Sequence, residues 1–377
     1  MLAIGLRHDI MAAELAIDAR WLHTGIGTYT LNLLYALAVE KNGLRLHAIT
    51  GQSNLERISP FCDRITVVDT PIYTIREQWQ VLWAARRSDL LHVPHYNVPL
   101  LRKRKLVTTI LDLIHLTDPE CRANLAKQIY ALSMMRAAAK KADHVITISE
   151  YSKSQIVERL KVPPEKVTVI YCSVSDRFSP GVPESVTAAR ESLGLTAPYL
   201  LYVGDLRPYK NIGRLLQAFH AARQRLGEES NLVFVTRDVT RARRLRQEYA
   251  GLDSWPFIRF LHMVEDEMLP LIYSGAAAVI MPSLMEGFGL PVLEAMASGA
   301  PVICSRAASL PEVGGDAVAY FDPHSVTDLA STMERVCTSE TLRSGLAAKG
   351  LERAKQFSLQ ESARKHIDVY YRVLGWE

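Results

Sequence analysis

Short apolar runs alternate with helix-length amphipathic runs along this chain, which is the pattern of a parallel sheet wound with helices on both faces. Strands are predicted at Leu15–Asp18, Leu44–Thr50, Ile65–Asp69, Leu90–Val93, Leu106–Leu111 and His144–Ile148. Helices are predicted at Thr28–Leu37, Arg76–Arg87, Lys127–Lys141 and Ser152–Leu160. The pattern lapses over Tyr171–Pro198, a stretch holding Pro180 and Pro183, and then restarts. The second set has strands at Tyr199–Val203, Leu232–Thr236, Ile258–Leu261, Ala276–Met281 and Pro301–Cys304, with helices at Ile212–Arg225, Arg241–Tyr249 and Leu290–Ser298. Two Rossmann-like domains follow, 1–180 and 181–358, facing each other across a cleft. A last helix, Leu359–Leu374 within 359–377, is placed to cross back onto the first domain. A chain of 377 residues is long enough for two such domains, each with its own core.

Hydrophobic residues at 48% and charged residues at 22% describe a globular chain and exclude a disordered one. The net charge of +4 is mild, and nucleic acid is not an expected partner. Basic residues do cluster, at Arg102–Lys105 and among Arg237, Arg241, Arg243, Arg244 and Arg246. Most such runs are solvated faces; phosphate or lipid headgroups are the sharper alternative, and peripheral membrane contact through these clusters is one expectation. The cysteines (62, 121, 172, 304 and 337) are odd in number and widely spaced, with no C-x-x-C or Cys/His metal pattern. They predict reduced thiols in a cytoplasmic protein. No apolar run reaches membrane-spanning length.

The segment Glu286-Gly-Phe-Gly-Leu-Pro-Val-Leu-Glu294 sets two carboxylates on either side of a glycine loop that opens a helix. Gly299 falls where a left-handed helix cap is needed. A strand, glycine loop and helix in this order aim free backbone N–H groups at an anion. One acid can then face a ligand's carbon skeleton while the other faces a ribose, which suggests a nucleotide-sugar site. At the end of the second domain's first strand, Gly204-Asp-Leu-Arg207-Pro-Tyr-Lys210-Asn211 carries two cations that could reach one diphosphate. Gly25-Ile-Gly27 before a helix is a weaker signal of close ligand approach. Neither G-x-G-x-x-G nor a Walker lysine is present, so hydride transfer and P-loop chemistry are poorly supported. His92, His95 and His115 lie near strand ends, where a histidine is more often a satisfied polar residue than a catalyst. Asp112 directly follows a strand and is better placed to face the cleft. The Trp79/Trp83 stripe reads as core before it reads as a sugar platform.

These residues together form a known pattern. The chain resembles the retaining glycosyltransferases of family 4, which have the two-domain GT-B fold, from about Leu15 to its C-terminus. The most specific element is Glu286–Glu294 within Pro282–Gly299. Asp18-Ala-Arg-Trp-Leu with Gly25-Ile-Gly27, Ile148-Ser149-Glu-Tyr-Ser152, Gly204–Asn211 and Ser309-Leu-Pro-Glu-Val313 support it. Arg76-Glu-Gln and His92-Val-Pro-His-Tyr-Asn97 look like the bacterial mannosyltransferase-like branch.

The resemblance implies sugar transfer from a nucleoside diphosphate sugar with retention of configuration, without a metal or other cofactor. By position, Glu286 would contact the donor sugar's hydroxyls, near the backbone of Gly287, Phe288, Gly289 and Leu290. Glu294 would hold the ribose, Lys210 the diphosphate beside Gly204, and Gly27 with Gly25 would lie beneath it from the first domain. The pattern departs at three places. Leu111 stands before Asp112 where the family commonly has histidine, Asp205 replaces an arginine, and Cys172-Ser173 replaces Asn-Gly. Arg207 is the substitute expected for the arginine, and His115 or the backbone near Asp112 for the histidine. The expected function is hexosyl transfer, best guessed as mannose from GDP-mannose, to a glycan, polysaccharide or lipid-linked acceptor. The expected location is the cytoplasm, including the inner face of the membrane. A non-catalytic nucleotide-sugar scaffold and a sugar-nucleotide epimerase of the same architecture are the competing readings.

Overall fold

The computed structural model describes residues 13–22, 25–40, 43–71, 74–101, 104–117, 125–227 and 229–376. Its strands form two sheets, parallel throughout. The first runs β3-β2-β1-β4-β5-β6-β7, from β1 (Glu14–Asp18), β2 (Arg45–Thr50), β3 (Arg64–Val67), β4 (Leu90–Val93), β5 (Lys105–Thr109), β6 (His144–Thr147) and β7 (Val167–Val169). The second runs β10-β9-β8-β11-β12-β13, from β8 (Tyr199–Val203), β9 (Asn231–Val235), β10 (Ile258–Leu261), β11 (Ala278–Met281), β12 (Val302–Ser305) and β13 (Ala319–Phe321). In both sheets the strand order reverses once, between β1 and β4 and between β8 and β11. Such a reversal opens a crevice at the strands' C-terminal ends where ligands bind.

The central strands read as continuous apolar runs because helices cover both of their faces: β4, β6 and β11 are buried at every position. Helix faces follow the same logic. In Ile212–Leu226 the buried positions Ile212, Leu215, Leu216, Phe219 and Ala222 form one stripe, which packs against Leu329, Met333 and Val336 of Val326–Thr338. The stretch where the alternation lapses holds a helix, Pro183–Ser192, which Pro183 starts. A proline at the first turn loses no intrahelical hydrogen bond. A correction concerns Trp79 and Trp83. They are 59% and 60% exposed, because the helix Ile75–Ala84 turns Glu77, Val81 and Ala84 inward instead.

The last helix, Leu359–Leu374, packs on the helix Gly25–Val39 and on β5 of the first domain. A buried chain of hydrogen bonds fastens it there. His366 Nδ1 lies 2.7 Å from the Ser362 carbonyl, which can only accept, so Nδ1 carries the proton. His366 Nε2 therefore accepts from the Tyr29 hydroxyl at 2.8 Å, and Tyr29 accepts from Thr109 Oγ1 at 3.0 Å. Thr109 in turn accepts from His92 Nε2 at 2.8 Å, and His92 Nδ1 accepts from the Tyr370 hydroxyl at 2.8 Å. Every proton is used once, and both imidazoles are neutral. Burial pushes His92 well below its ordinary pKa and His366 down to about 4. Among the described residues no helix is long and apolar enough to cross a membrane.

A depressed histidine pKa has a definite consequence for stability. The unfolded chain takes up protons near the ordinary histidine pKa while the folded chain does not, so stability falls as pH drops from about 6.5 towards 4. His366 alone contributes up to about 3 kcal/mol of this loss, and His47 and His144, also pushed down to about 4 mainly by burial, add to it. Glu294, raised to about 6, offsets part. The thermal unfolding midpoint is expected to fall between pH 7 and 4.5; a flat or rising midpoint would contradict neutral buried imidazoles.

Candidate functional site

The loops after β8 and β11 meet at the reversal point of the second sheet. Asn211 adopts a left-handed conformation (φ +61°) and is buried. Its Nδ2 donates to the carbonyls of Pro282 at 3.0 Å and Pro323 at 2.8 Å, which ties together the loops after β8, β11 and β13. Leu284 N donates to the Tyr209 carbonyl at 2.8 Å. These ties bring Lys210 onto Glu286: Nζ donates to Oε1 at 2.7 Å, and the same oxygen accepts from Ser283 Oγ at 2.6 Å. Burial works against the Lys210 charge, but the Glu286 carboxylate outweighs it and holds the lysine above its ordinary pKa. Glu286 Oε2 makes no hydrogen bond among the described residues and is open to a ligand.

Gly289, at φ +111°, turns the chain into the helix Leu290–Ala297, and Gly299 ends it at φ +75°. Ser309 Oγ donates to the carbonyls of Glu286 and Phe288, at 2.9 and 3.1 Å, and so fixes the glycine loop from behind. Phe288 is buried against Tyr171 and Phe357, the two points where the chain passes between the domains. Gly287 faces the first domain at close range: a Cβ there would lie 2.6 Å from Asp112 Oδ2. Asp112 Oδ1 is held by Ile114 N at 2.9 Å, and Asp112, Tyr151, Ser152 and Glu286 line a small void between the domains.

A larger cleft of about 840 Å³ opens beside this contact. Leu22, Gly25 and Thr28 line it from the first domain, Gly204, Asp205 and Glu294 from the second, and Arg177 from the connection. Tyr273 donates to Glu294 Oε2 at 2.9 Å. Burial pushes Glu294 up to about 6, although Tyr273 and Arg177 pull it back. Among the described residues no group of three or more His, Cys, Asp or Glu side chains could hold a metal ion.

The predicted residues are therefore partly assembled. Lys210 joins Glu286; Gly25, Gly204 and Glu294 share one cleft; and Asp112 meets Gly287. Leu290 lies at a separate small void beside Tyr29 and Cys172. Arg207 does not join Lys210, for its Nε sits 3.5 Å from Asp205 Oδ2 at the surface. Gly27 faces inward, where a Cβ would meet the Leu22 carbonyl oxygen at 2.3 Å. His115 falls on the short helix Ile114–Thr117, and its side chain lies outside the described residues, as do Arg102, Lys103 and Cys121. His92 belongs to the buried chain above, and His95 accepts from Asn97 N at 3.0 Å and stacks on Trp21. Arg177, Ser283 and Asn211 were not singled out in the sequence. Ser283 stands three residues before Glu286 and Asn211 directly after Lys210, whereas Arg177 carries no local signal.

Glu312 closes the domain contact from the other side. Its carboxylate accepts from Glu150 N at 2.7 Å and Tyr151 N at 2.8 Å, the first turn of the helix Glu150–Leu160. An anion at a helix N-terminus is favoured by the free N–H groups and the helix dipole. Glu312→Ala removes an interdomain tie on the order of 2 kcal/mol. A larger radius of gyration in solution scattering is expected; an unchanged one would show that the tie does not hold the domains.

Two family sequence patterns match the chain: that described as Glycosyltransferase Family 4 over residues 23–178, and that described as Glycosyl transferases group 1 over residues 186–353. The chain is 30% identical to O-antigen chain mannosyltransferase B of Escherichia coli over 369 residues, covering 92% of this chain and 96% of the relative. It is 29% identical to O-antigen chain mannosyltransferase RfbU of Salmonella typhimurium, covering 70% of this chain and 69% of the relative. Among solved structures, Anabaena HepE in complex with UDP and glucose superposes with a TM-score of 0.79 at 17% identity, covering 96% of this chain and all (100%) of that one. This last likeness bears on the fold alone.

Proposed function

The chain belongs to glycosyltransferase family 4, in its bacterial mannosyltransferase-like branch with GT-B architecture, and on that premise we propose that it transfers a hexose from a nucleoside diphosphate sugar to a glycan, polysaccharide or lipid-linked acceptor, with retention of configuration. The favoured donor is GDP-mannose, since relatives at about this identity are named mannosyltransferases. The observation that carries the reading is the Lys210–Glu286 pair, which leaves one carboxylate oxygen open at the reversal point of the donor-side sheet.

In this reading Glu286 Oε2 accepts from the donor sugar's hydroxyls. Lys210, kept protonated by Glu286, faces the diphosphate together with the N–H groups that open the helix Leu290–Ala297. Charge building on the departing diphosphate is then met by a fixed cation and fixed dipoles, without a metal. Gly204 and Gly25 allow the diphosphate to approach the backbone from the two domains. Glu294 accepts from the ribose hydroxyls. Arg207, held by Asp205 and the Tyr209 hydroxyl near the surface, swings in as a second cation. Across the loop, His115 or the backbone near Asp112 takes over the face where Leu111 stands in place of histidine.

Lys210→Ala and Glu286→Ala are each expected to lower nucleotide release from GDP- and UDP-sugars on the order of a hundredfold with folding retained. Near-normal release in both would sink the assignment. His115→Ala with full activity would reject the His115 part alone. Leu111 favours one competing reading, a scaffold that binds nucleotide sugar without turnover. Wild-type binding without release over hours would select that reading, and a new sugar nucleotide formed from donor alone would select the epimerase. Glu294 adds a pH test: donor KM should rise as pH falls through about 6, and Glu294→Gln should flatten that dependence.

A further inference from the structure

The connection between the domains carries a cation into the cleft, and its backbone is tied down on both sides of that cation. On the first-domain side the Ser173 carbonyl accepts from Asn32 Nδ2 at 3.1 Å, and Val174 N donates to the Phe357 carbonyl at 3.3 Å. On the second-domain side Gly181 N donates to Ser274 Oγ at 3.0 Å. Ser274 Oγ donates in turn to the Ser298 carbonyl at 2.8 Å, just past the helix that bears Glu294. Arg177 lies between these ties and lines the cleft with Glu294 and Asp266. The next residue, Phe178, is buried against Tyr273, with ring centroids 6.0 Å apart, and the Arg177 guanidinium sits 4.8 Å above the Phe178 ring. Tyr273 donates to Glu294 Oε2 at 2.9 Å. One short path of packed side chains therefore runs from the connection to the buried acid.

We propose that Arg177 is a positioning residue of the donor site, which keeps the Glu294 carboxylate charged so that it accepts from the ribose hydroxyls. The ribose role rests on the proposed transfer reaction, whereas the hold of Arg177 on Glu294 does not. The charges around Glu294 single Arg177 out. Burial is the largest influence and raises Glu294 to about 6; Tyr273 and Arg177 pull it back, and Asp266 raises it. Tyr273 supplies a neutral hydroxyl, so Arg177 is the positive charge that acts on this acid. Lys210 is paired with Glu286 instead. Arg57, Asp205, Arg237 and Asp238 line the same cleft, but among the described residues none of them pairs with Glu294. Asp266 competes for the guanidinium: it lies 3.7 Å from Arg177 Nη1 and 3.5 Å from Arg237 Nη2. Arg177 thus stands between two acids. A neighbouring opposite charge favours the carboxylate over the carboxylic acid, by an amount that partial solvation of the guanidinium reduces.

The test is the titration of Glu294 in the full chain, followed by carbon-13 NMR of the glutamate carboxyls and assigned by the signal lost in Glu294→Gln. Wild type is expected to titrate near pH 6. Arg177→Gln should move that midpoint up by about half a pH unit or more, and Arg177→Lys should keep it near wild type. Asp266→Asn should move it down, because a repelling charge is removed and Arg177 is released towards Glu294. The Arg177 and Asp266 side chains are 41% and 50% exposed, so these variants are expected to fold, and the unfolding midpoint at alkaline pH checks it. Affinity for GDP and for UDP over the same pH range reads the donor role. Nucleotide binding should weaken as pH falls through about 6 in wild type, and at correspondingly higher pH in Arg177→Gln. An Arg177→Gln midpoint equal to wild type, or an Arg177→Lys midpoint displaced as far as that of Arg177→Gln, would overturn the proposal. So would a nucleotide affinity that Arg177→Gln lowers equally at every pH, because Arg177 would then touch the phosphates directly. A midpoint that moves as expected while nucleotide affinity ignores it would support the hold on Glu294 and reject the ribose assignment alone.

Discussion

The hydrogen-bonded chain from Tyr370 through His92, Thr109, Tyr29 and His366 to Ser362 fixes where the second domain's C-terminal helix rests on the first domain. Everything in the cleft depends on that placement. Tyr29 belongs to the helix that begins at Gly25, so the chain ends close to the first domain's contribution to the cleft. The chain runs in one direction only, because the Ser362 carbonyl cannot donate. Buried polar groups linked this way specify one arrangement, since any shift leaves a donor or acceptor unpaired in the interior. Glu312 on the helix Glu150–Leu160 and Phe288 between Tyr171 and Phe357 hold the other edge of the same interface.

Within that frame the two acids of one short segment have different environments. Glu286 lies beside a lysine ammonium and a serine hydroxyl that both donate to one of its oxygens. Among the described residues Glu294 has only a tyrosine hydroxyl in direct contact, and burial pushes it up. The difference comes from partners on other elements, Lys210 after β8 and Tyr273 before β11. The glycines matter for space as much as for conformation. At Gly287 the first domain's Asp112 comes so close that any side chain would displace it.

The double alternation of strands and helices was legible without a structure, as were the turn glycines Gly289 and Gly299. The nearness of Lys210 to Glu286 followed from placing both loops at strand ends. Arg207 was not legible: its neighbour Asp205 offers a nearer partner than the cleft does. Pro183 misled because a proline reads as an interruption until its helix is seen to start there. The Trp79/Trp83 stripe misled for a related reason. Helical spacing identifies a face but not its direction, and here the inward face is the one carrying Glu77, Val81 and Ala84.

The sequence by itself determined what is set within a few residues. Periodicity chose strand or helix, and glycine permitted the left-handed turns. The Glu286–Glu294 spacing put two acids on one loop and helix. Tertiary structure decided which distant groups met: Glu312 with the turn at Glu150, His92 with Tyr370. The reason is physical. Local conformation depends on neighbours in the chain, whereas hydrogen-bond partners depend on strand order and domain docking, and burial of the whole core sets both.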